Sequence, residues 1–191
     1  MRRYARDFSL AQAPEWVSTL LTALDLNRVM VAAHSMGGVI AAMFAARWPD
    51  KVKKLVLAAP AIAPPQRSIL AFGLPLLRET ASVHPTFLPT LAGDAARSGL
   101  RTLWRVGREL LNADVDEQLT RIDCPCLLLW GERDSLVPAK LSRVLQSKIR
   151  GSELHIIRRA GHILMYDRPD EFNQYVLTFL ARPIEQRSAT V

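Results

Sequence analysis

The sequence predicts an α/β fold, a mostly parallel sheet with helices on both faces, and two observations predict it. Short apolar runs rich in β-branched residues alternate along the chain with amphipathic segments of helical period. These runs are nearly all apolar, as is typical of strands covered on both faces. The 191 residues are 49% hydrophobic and 23% charged, which indicates a globular core and argues against disorder.

The first part of this alternation surrounds a serine. Pro14 suits the first turn of a helix, and the Ala-rich run before Pro49 is a strong helix former. "RVMVAA" and "VKKLVLAA" have the composition of buried strands. The predicted elements are a helix over 14–24, a strand over 28–33, a helix over 38–48 and a strand over 52–59.

Residues 60–115 interrupt the rhythm, because they are rich in proline and irregular in pattern. We predict that they form a cap insertion over one end of the sheet, finishing with a helix over 96–111. Alternation then resumes with a strand over 126–130, a helix over 138–149, a strand over 153–158 and a helix over 169–181. The predicted organisation is a core of residues 1–59 and 116–182, the insertion of residues 60–115, and a mobile tail of residues 183–191.

The amino-acid composition limits the classes of partner and cofactor that we expect. The net charge is +7, but the basic residues are scattered and form no nucleic-acid module. No pattern implies a metal or an organic cofactor. Cys124 and Cys126 flank a proline in a segment predicted to be extended; we expect both to be reduced packing residues and the protein to be cytoplasmic. The start lacks the features of a secretory signal. The apolar stretch 29–46 is borderline for a transmembrane segment and carries polar residues at its centre, so we expect no span.

A serine interrupts that apolar stretch at the junction of a predicted strand and a predicted helix. Ala33, His34, Ser35, Met36 and Gly37 match the pattern small-x-Ser-x-small of a nucleophile elbow, in which a strained turn projects the serine above the sheet. We expect the strand and helix to approach so closely that only small residues fit at positions 33 and 37. A simple helix N-cap is the alternative interpretation of Ser35.

Two further residues follow later strands. Asp134 comes after "LLLWGER" and His162 after "ELHIIRRAG", so both are expected at the carboxyl edge that carries Ser35. The order Ser, Asp, His is that of one known triad architecture. Alternatives remain open: Asp134 as a turn cap before Val137, Glu132 as the acid, and His162 as a structural residue.

The segments "AHSMGG", "WGERDSLVP" and "AGHILMYDRP" resemble the elbow, acid and histidine segments of the α/β-hydrolase family, in its esterase- and lipase-like branch. The resemblance covers essentially the whole chain. It implies that Ser35 is the nucleophile, His162 the general base, Asp134 the group that orients the imidazole, and the Met36 amide an oxyanion donor.

The resemblance also implies a small-molecule substrate, most simply a carboxylic ester cleaved through an acyl-enzyme. The apolar content of residues 60–115 favours a hydrophobic group on it. The residues expected to bind substrate are His34, Trp104, Leu136 and Val137. Two other functions stay open: hydrolysis of a carbon–carbon bond or thioester by the same triad, and a scaffold with little or no activity that acts as a binding module.

Proteins of the family that the sequence resembles have further strands before the helix at which this chain starts. We therefore expect a truncated core that lacks the loop supplying a second oxyanion donor, and weak activity as a result. We also expect "RVMVAA" to be an unprotected apolar edge strand through which the protein self-associates.

Overall fold

The computed structural model describes residues 9–62 and 85–184. Helices and strands alternate in these residues, which confirms the predicted fold class. The elements are α1 (Ala13–Ala23), β1 (Val29–His34), α2 (Met36–Arg47), β2 (Val52–Ala58), α3 (Leu88–Ser98), α4 (Leu100–Asn112), α5 (Asp116–Thr120), β3 (Cys126–Gly131), α6 (Lys140–Lys148), β4 (Glu153–Ile157), α7 (Leu164–Asp167) and α8 (Pro169–Ala181). Short 3-10 turns occupy Pro49–Lys51 and Pro85–Phe87.

The four strands form one parallel sheet in chain order, β1-β2-β3-β4. Every residue of β3 is buried, and Lys53 is the exposed residue of β2. These two central strands supply the middle of the core, with Leu57 beside Leu128 in the register. Because all strands run the same way, their carboxyl ends meet at one edge of the sheet, where the predicted functional residues lie.

β1 is an edge strand of the described sheet, since it pairs with β2 alone. Its Met30 is 46% exposed and Ala32 is also exposed, although both are apolar. Helix α1, which precedes β1, exposes a stripe of large apolar side chains at helical spacing, namely Trp16, Leu20 and Leu24. The edge of the sheet that begins with β1 is therefore apolar and uncovered by any described residue.

Lys54 of β2 is 2% exposed. Its Nζ donates hydrogen bonds to the carbonyl oxygens of Phe179, at 2.7 Å, of Leu180, at 2.9 Å, and of Arg182, at 2.5 Å. These carbonyls end α8, where the helix leaves its last acceptors without intrahelical partners. A buried ammonium therefore caps the closing helix and fixes it to the sheet, in keeping with the favourable position of a cation at a helix carboxyl end.

The structure corrects the helix predicted over 96–111. Two helices, α3 and α4, occupy this region, and they meet at Gly99, whose φ is 76°. Apolar periodicity continues across the junction, but only glycine adopts this conformation without strain. The short helix α5 was not predicted. Residues 63–84 of the predicted insertion and 185–191 of the predicted tail lie outside the described residues, so both assignments stay predictions.

Cys124 and Cys126 are free and buried. Burial raises the pKa of the Cys126 thiol, with the neighbouring Cys124 as a second cause. A buried thiol of raised pKa is a packing residue with little nucleophilic character. Across residues 9–62 and 85–184, no helix combines the length and the apolarity that crossing a lipid bilayer demands.

Candidate active site

Ser35 lies between the end of β1 and the start of α2, and its backbone is strained, with φ of 53° and ψ of −122°. The turn is fixed by its own hydrogen bonds. The Ser35 amide donates to the Ala58 carbonyl at 3.0 Å, and the Ser35 carbonyl accepts from the amide of Ala61 at 3.0 Å. The same carbonyl accepts from the first turn of α2, at the amides of Gly38 and Val39.

The close approach at this turn involves Gly38 rather than Gly37. A Cβ on Gly38 would lie 2.7 Å from the Cβ of Pro60, whereas a Cβ on Gly37 would lie 3.9 Å from the Cβ of Ala33. The second distance is an ordinary van der Waals contact. The tightest approach is therefore at Gly38, because α2 is pressed against the exit of β2, while position 37 has room for a residue as small as alanine.

Asp134 follows β3 and is 5% exposed. Its Oδ1 accepts hydrogen bonds from the amides of Leu136, at 3.0 Å, and Val137, at 2.7 Å. Its Oδ2 lies 2.9 Å from Nδ1 of His162. Asp134 thus caps its own turn, as one interpretation of the sequence held, and contacts the histidine as the other held. The two amides fix the carboxylate so that its second oxygen faces the ring.

His162 follows β4 and is also 5% exposed. Its Nε2 lies 2.9 Å from Oγ of Ser35, and its Nδ1 faces the carboxylate of Asp134. A carboxylate only accepts, so in the neutral ring Nδ1 carries the hydrogen and Nε2 is the lone-pair nitrogen facing the serine hydroxyl. The structure thus brings together a hydroxyl, a base and a buried acid from three separate strand ends.

The acid loop and the histidine loop are in direct backbone contact. The Arg133 amide donates to the Ala160 carbonyl at 2.8 Å, and the Glu132 amide donates to the Ile157 carbonyl at 3.0 Å. A Cβ on Gly131 would lie 2.1 Å from the Gly161 carbonyl oxygen. Glycine is therefore required at position 131. Glu132, the alternative acid, accepts from the Arg159 amide at 2.9 Å.

His34, expected to bind substrate, lies against the histidine loop. Its Nε2 is 2.8 Å from the carbonyl oxygen of His162, and the centroids of the two rings are 4.7 Å apart. Burial, together with the nearby His162, lowers the pKa of His34 to about 4. His34 is therefore neutral near pH 7.

The other residues expected to bind substrate occupy two places. Leu136 and Val137 belong to the turn that Asp134 caps, and the Val137 carbonyl also accepts from the indole of Trp130 at 2.7 Å. Trp104 is 54% exposed and lines a cleft of about 570 Å³ with residues such as Leu10, Met43 and Arg108. The residues that line this cleft include none of Ser35, Asp134 and His162.

Sequence reasoning missed two groups beside the histidine. The carboxylate of Asp167 accepts from the Gly161 amide at 2.7 Å, which fixes the loop one residue before His162. Tyr166 lies against the segment in which the described residues resume at 85: its hydroxyl contacts Thr86 and its ring lies 5.0 Å from that of Phe87. The quoted segment "AGHILMYDRP" contained both residues, but spacing alone does not assign such contacts.

The backbone amides in the first turn of α2 include hydrogen-bond donors that could stabilise negative charge at the site. The amides of Gly38 and Val39 are bonded to the Ser35 carbonyl, which leaves those of Met36 and Gly37 at the helix start without an acceptor among the described residues. A helix amino terminus favours negative charge. No group of three or more His, Cys, Asp or Glu side chains suited to a metal ion occurs within 9–62 and 85–184.

Comparison with known proteins places these residues in a wider context. The family model described as "Serine aminopeptidase, S33" matches residues 9–169. The chain is 28% identical to the 2-hydroxy-6-oxononadienedioate/2-hydroxy-6-oxononatrienedioate hydrolase of Escherichia coli (strain K12 / DH10B), over an alignment that covers 87% of this chain and 67% of the relative.

Solved structures show the same fold. A membrane phospholipase A described as a bacterial virulence factor is 27% identical, with a TM-score of 0.76 over 91% of this chain and 63% of that one. An esterase from Exiguobacterium antarcticum is 20% identical, with a TM-score of 0.79 over 91% of this chain and 74% of that one. The chain therefore spans 63% to 74% of the length of these three proteins.

Proposed function

The chain belongs to the serine aminopeptidase S33 family of α/β-hydrolases, and we propose that it hydrolyses carboxylic esters through an acyl-enzyme formed on Ser35. One observation carries the proposal: Nε2 of His162 lies 2.9 Å from Oγ of Ser35, while Nδ1 of the same ring lies 2.9 Å from the buried carboxylate of Asp134. The first distance is within the reach that proton transfer requires, and the second is that of a hydrogen bond that orients the ring.

In the proposed reaction, Oγ of Ser35 attacks the ester carbonyl carbon as its proton passes to Nε2 of His162. The carbonyl electron pair moves onto oxygen, and the Met36 amide donates to that oxyanion. Asp134 stabilises the imidazolium. When the tetrahedral intermediate collapses, the carbon–oxygen bond to the alcohol breaks and the alcohol takes the proton from His162. Water then attacks the acyl-enzyme by the same steps and releases the acid.

The substrate assignment has two sources of support. Apolar residues of the predicted insertion that the structure describes, Leu88 and Trp104 among them, are exposed, which favours a hydrophobic group on the ester. The similarity to a phospholipase and an esterase agrees with that choice, although the esterase is similar in fold alone. We also propose a cytoplasmic location, supported by the two free, buried cysteines.

Hydrolysis of a carbon–carbon bond is the second candidate, and the similarity to the Escherichia coli hydrolase favours it. The name of that relative's substrate specifies hydroxyl, oxo and carboxylate groups. Hydrolysis of such a compound breaks a carbon–carbon bond rather than an ester. The same serine, histidine and carboxylate serve both reactions, so the two candidates differ in substrate rather than in the groups proposed here.

A fluorophosphonate probe tests the nucleophile directly, because it reacts only with an activated serine. We expect the wild-type protein to be labelled and the Ser35→Ala variant not to be. Ser147→Ala is the matched control: Ser147 lies on α6 and its hydroxyl bonds to the Val144 carbonyl, so this variant is expected to be labelled like the wild type.

Folded wild-type protein that resists the probe, or Ser35→Ala that is still labelled, contradicts the proposal and favours a non-catalytic binding module. The substrate is then tested with p-nitrophenyl esters of short and long acyl chains, and with a 2-hydroxy-6-oxo-dienoate followed by loss of its absorbance. Turnover of the dienoate alone favours the second candidate.

We further propose self-association through β1. Its exposed residues Met30 and Ala32 are apolar, and the strand contains no lysine or proline of the kind that protects natural sheet edges. A second copy pairing through the same strand would cover this face and extend the sheet.

A further inference from the structure

The residue before the nucleophile is bonded to the loop that carries the general base. Nε2 of His34 lies 2.8 Å from the carbonyl oxygen of His162. A carbonyl oxygen only accepts, so Nε2 of His34 carries the hydrogen and donates it. The contact joins residues 128 positions apart in the chain, and it bonds the nucleophile segment to the main chain of the base itself.

Two other side chains that bond to the histidine loop come from its own side of the sheet. Asp167 accepts from the Gly161 amide at 2.7 Å, and Glu132 accepts from the Arg159 amide at 2.9 Å. Both anchor the loop to β3 or to α7. The His34 side chain, in contrast, bonds to the His162 main chain from the Ser35 side.

We propose that His34 is a positioning residue that holds the His162 ring at hydrogen-bond distance from Ser35 by donating to the His162 carbonyl. The proposal rests on the proposed function. His34 and Ser35 are adjacent, so a shift of the nucleophile turn carries the donor with it and the histidine loop follows. A displacement of about 1 Å at such a site lowers reactivity on the order of 100-fold, which sets the size of the effect.

The environment of His34 suits this role. Burial and the nearby His162 keep the pKa of His34 at about 4, while its bond to the His162 carbonyl and the carboxylate of Asp134 oppose that shift. The neutral ring therefore stays the donor at neutral pH. It also places no charge beside His162 when that ring takes up the serine proton, although the ring centroids are only 4.7 Å apart.

Two variants separate the hydrogen bond from the ring. His34→Phe keeps a ring of similar size and removes the donor, whereas His34→Gln keeps a donor at the position of Nε2. We expect the rate constant for fluorophosphonate labelling of Ser35 to fall about 10- to 100-fold in His34→Phe and to stay within about 3-fold of wild type in His34→Gln. If His34→Phe does not fold, His34→Leu removes the same donor.

A second measurement does not depend on catalysis. The proton between Nδ1 of His162 and Asp134 is expected to give a far-downfield resonance in the proton NMR spectrum, absent in Asp134→Asn. We expect it in the wild type and in His34→Gln, and shifted or broadened in His34→Phe, because the released ring no longer holds one position.

Equal labelling rates and an unchanged resonance in His34→Phe would overturn the inference. The inference would also be overturned if His34→Gln lost the labelling rate and the resonance as severely as His34→Phe does. In that case the hydrogen-bond donor would not be the feature of His34 that matters. Failure of the wild type to react with the probe would instead overturn the proposed function, and the NMR comparison would still decide the role of His34.

Discussion

At the scale of single residues, the site depends on Ser35, whose positive φ is a backbone conformation that L-amino acids rarely adopt. A positive φ at a non-glycine residue costs on the order of 1–3 kcal/mol and persists only when its surroundings fix it. Here the Ser35 carbonyl accepts amides from α2 and from Ala61, and its own amide donates to Ala58. Hydrogen bonds to the end of β2 and to the first turn of α2 therefore hold the strained turn in place. In this position the Ser35 hydroxyl faces His162.

Two adjacent glycines in this turn make a matched pair. Gly38→Ala places a methyl group 2.7 Å from the Cβ of Pro60 and 3.0 Å from its Cα, and neither atom belongs to a flexible side chain. We expect this variant to lose about 1–3 kcal/mol of unfolding free energy. Gly37→Ala meets only an ordinary contact and is expected to be neutral or more stable by up to about 1 kcal/mol.

Urea denaturation monitored by circular dichroism measures both variants. Similar effects of the two substitutions, or a neutral Gly38→Ala, would contradict the packing described for this turn.

The positions of Ser35, Asp134 and His162 could be predicted from sequence because each follows a strand of a parallel sheet, and such ends share one edge. Their distances could not. The His34 contact escaped prediction because it joins a side chain to a main-chain carbonyl 128 residues away. The need for glycine at position 131 escaped it for a similar reason, since it arises from the Gly161 carbonyl on another loop.

At the scale of elements, the carboxyl end of α8 is capped by a buried side chain from the sheet. Lys54 donates to three carbonyls at the end of this helix, and its Nζ lies 5.3 Å from the centroid of the Phe179 ring. The ion has no carboxylate partner among these contacts, so the helix end supplies the negative potential. The closing helix and the central strand β2 are thereby joined across about 125 residues of chain.

Neighbouring lysines allow a controlled test of this bond. Lys54→Met keeps the length of the side chain and leaves the carbonyls of α8 without their donor. We expect it to lose about 1–3 kcal/mol of unfolding free energy, because the buried carbonyl of Phe179 is costly to leave unpaired. Lys53→Met, on the exposed residue of the same strand, is expected to change it by less than about 0.5 kcal/mol.

Thermal and urea unfolding measure both variants. A Lys54→Met protein as stable as Lys53→Met would mean that desolvation of the ammonium cancels its hydrogen bonds, contrary to this account.

Element boundaries were predictable where a local signal marks them. Pro169 opens α8, and the predicted helix over 169–181 is the one observed. The predicted helix over 96–111 failed because apolar periodicity runs through Gly99, while the backbone there turns to a φ of 76°. A glycine within a periodic run marks either a tolerated helical residue or a break, and only the three-dimensional structure separates the two.

At the scale of the whole molecule, we expect the exposed edge at β1 to determine whether the protein associates in solution. We expect wild-type protein to form dimers or larger species as its concentration rises. Met30→Lys is expected to shift the protein toward monomer, because an edge lysine opposes strand pairing. Val144→Lys adds the same charge at an equally exposed apolar residue, 50% against 46%, on α6, which packs against β3 and β4 instead.

Sedimentation velocity over a range of concentrations measures all three proteins, with Val144→Lys expected to behave as the wild type does. A wild type that is monomeric throughout, or equal effects of the two lysines, would contradict association through β1.

The contact between Gly131 and Gly161 has a mechanical consequence. With no space for even a methyl group between them, and with two main-chain bonds alongside, the turns that carry Asp134 and His162 form a single stiff block. Ser35 stands on a different block, built from β1, β2 and α2. The main chains of these two turns therefore move together, and the bond from His34 to the His162 carbonyl connects this block to the one that carries the hydroxyl.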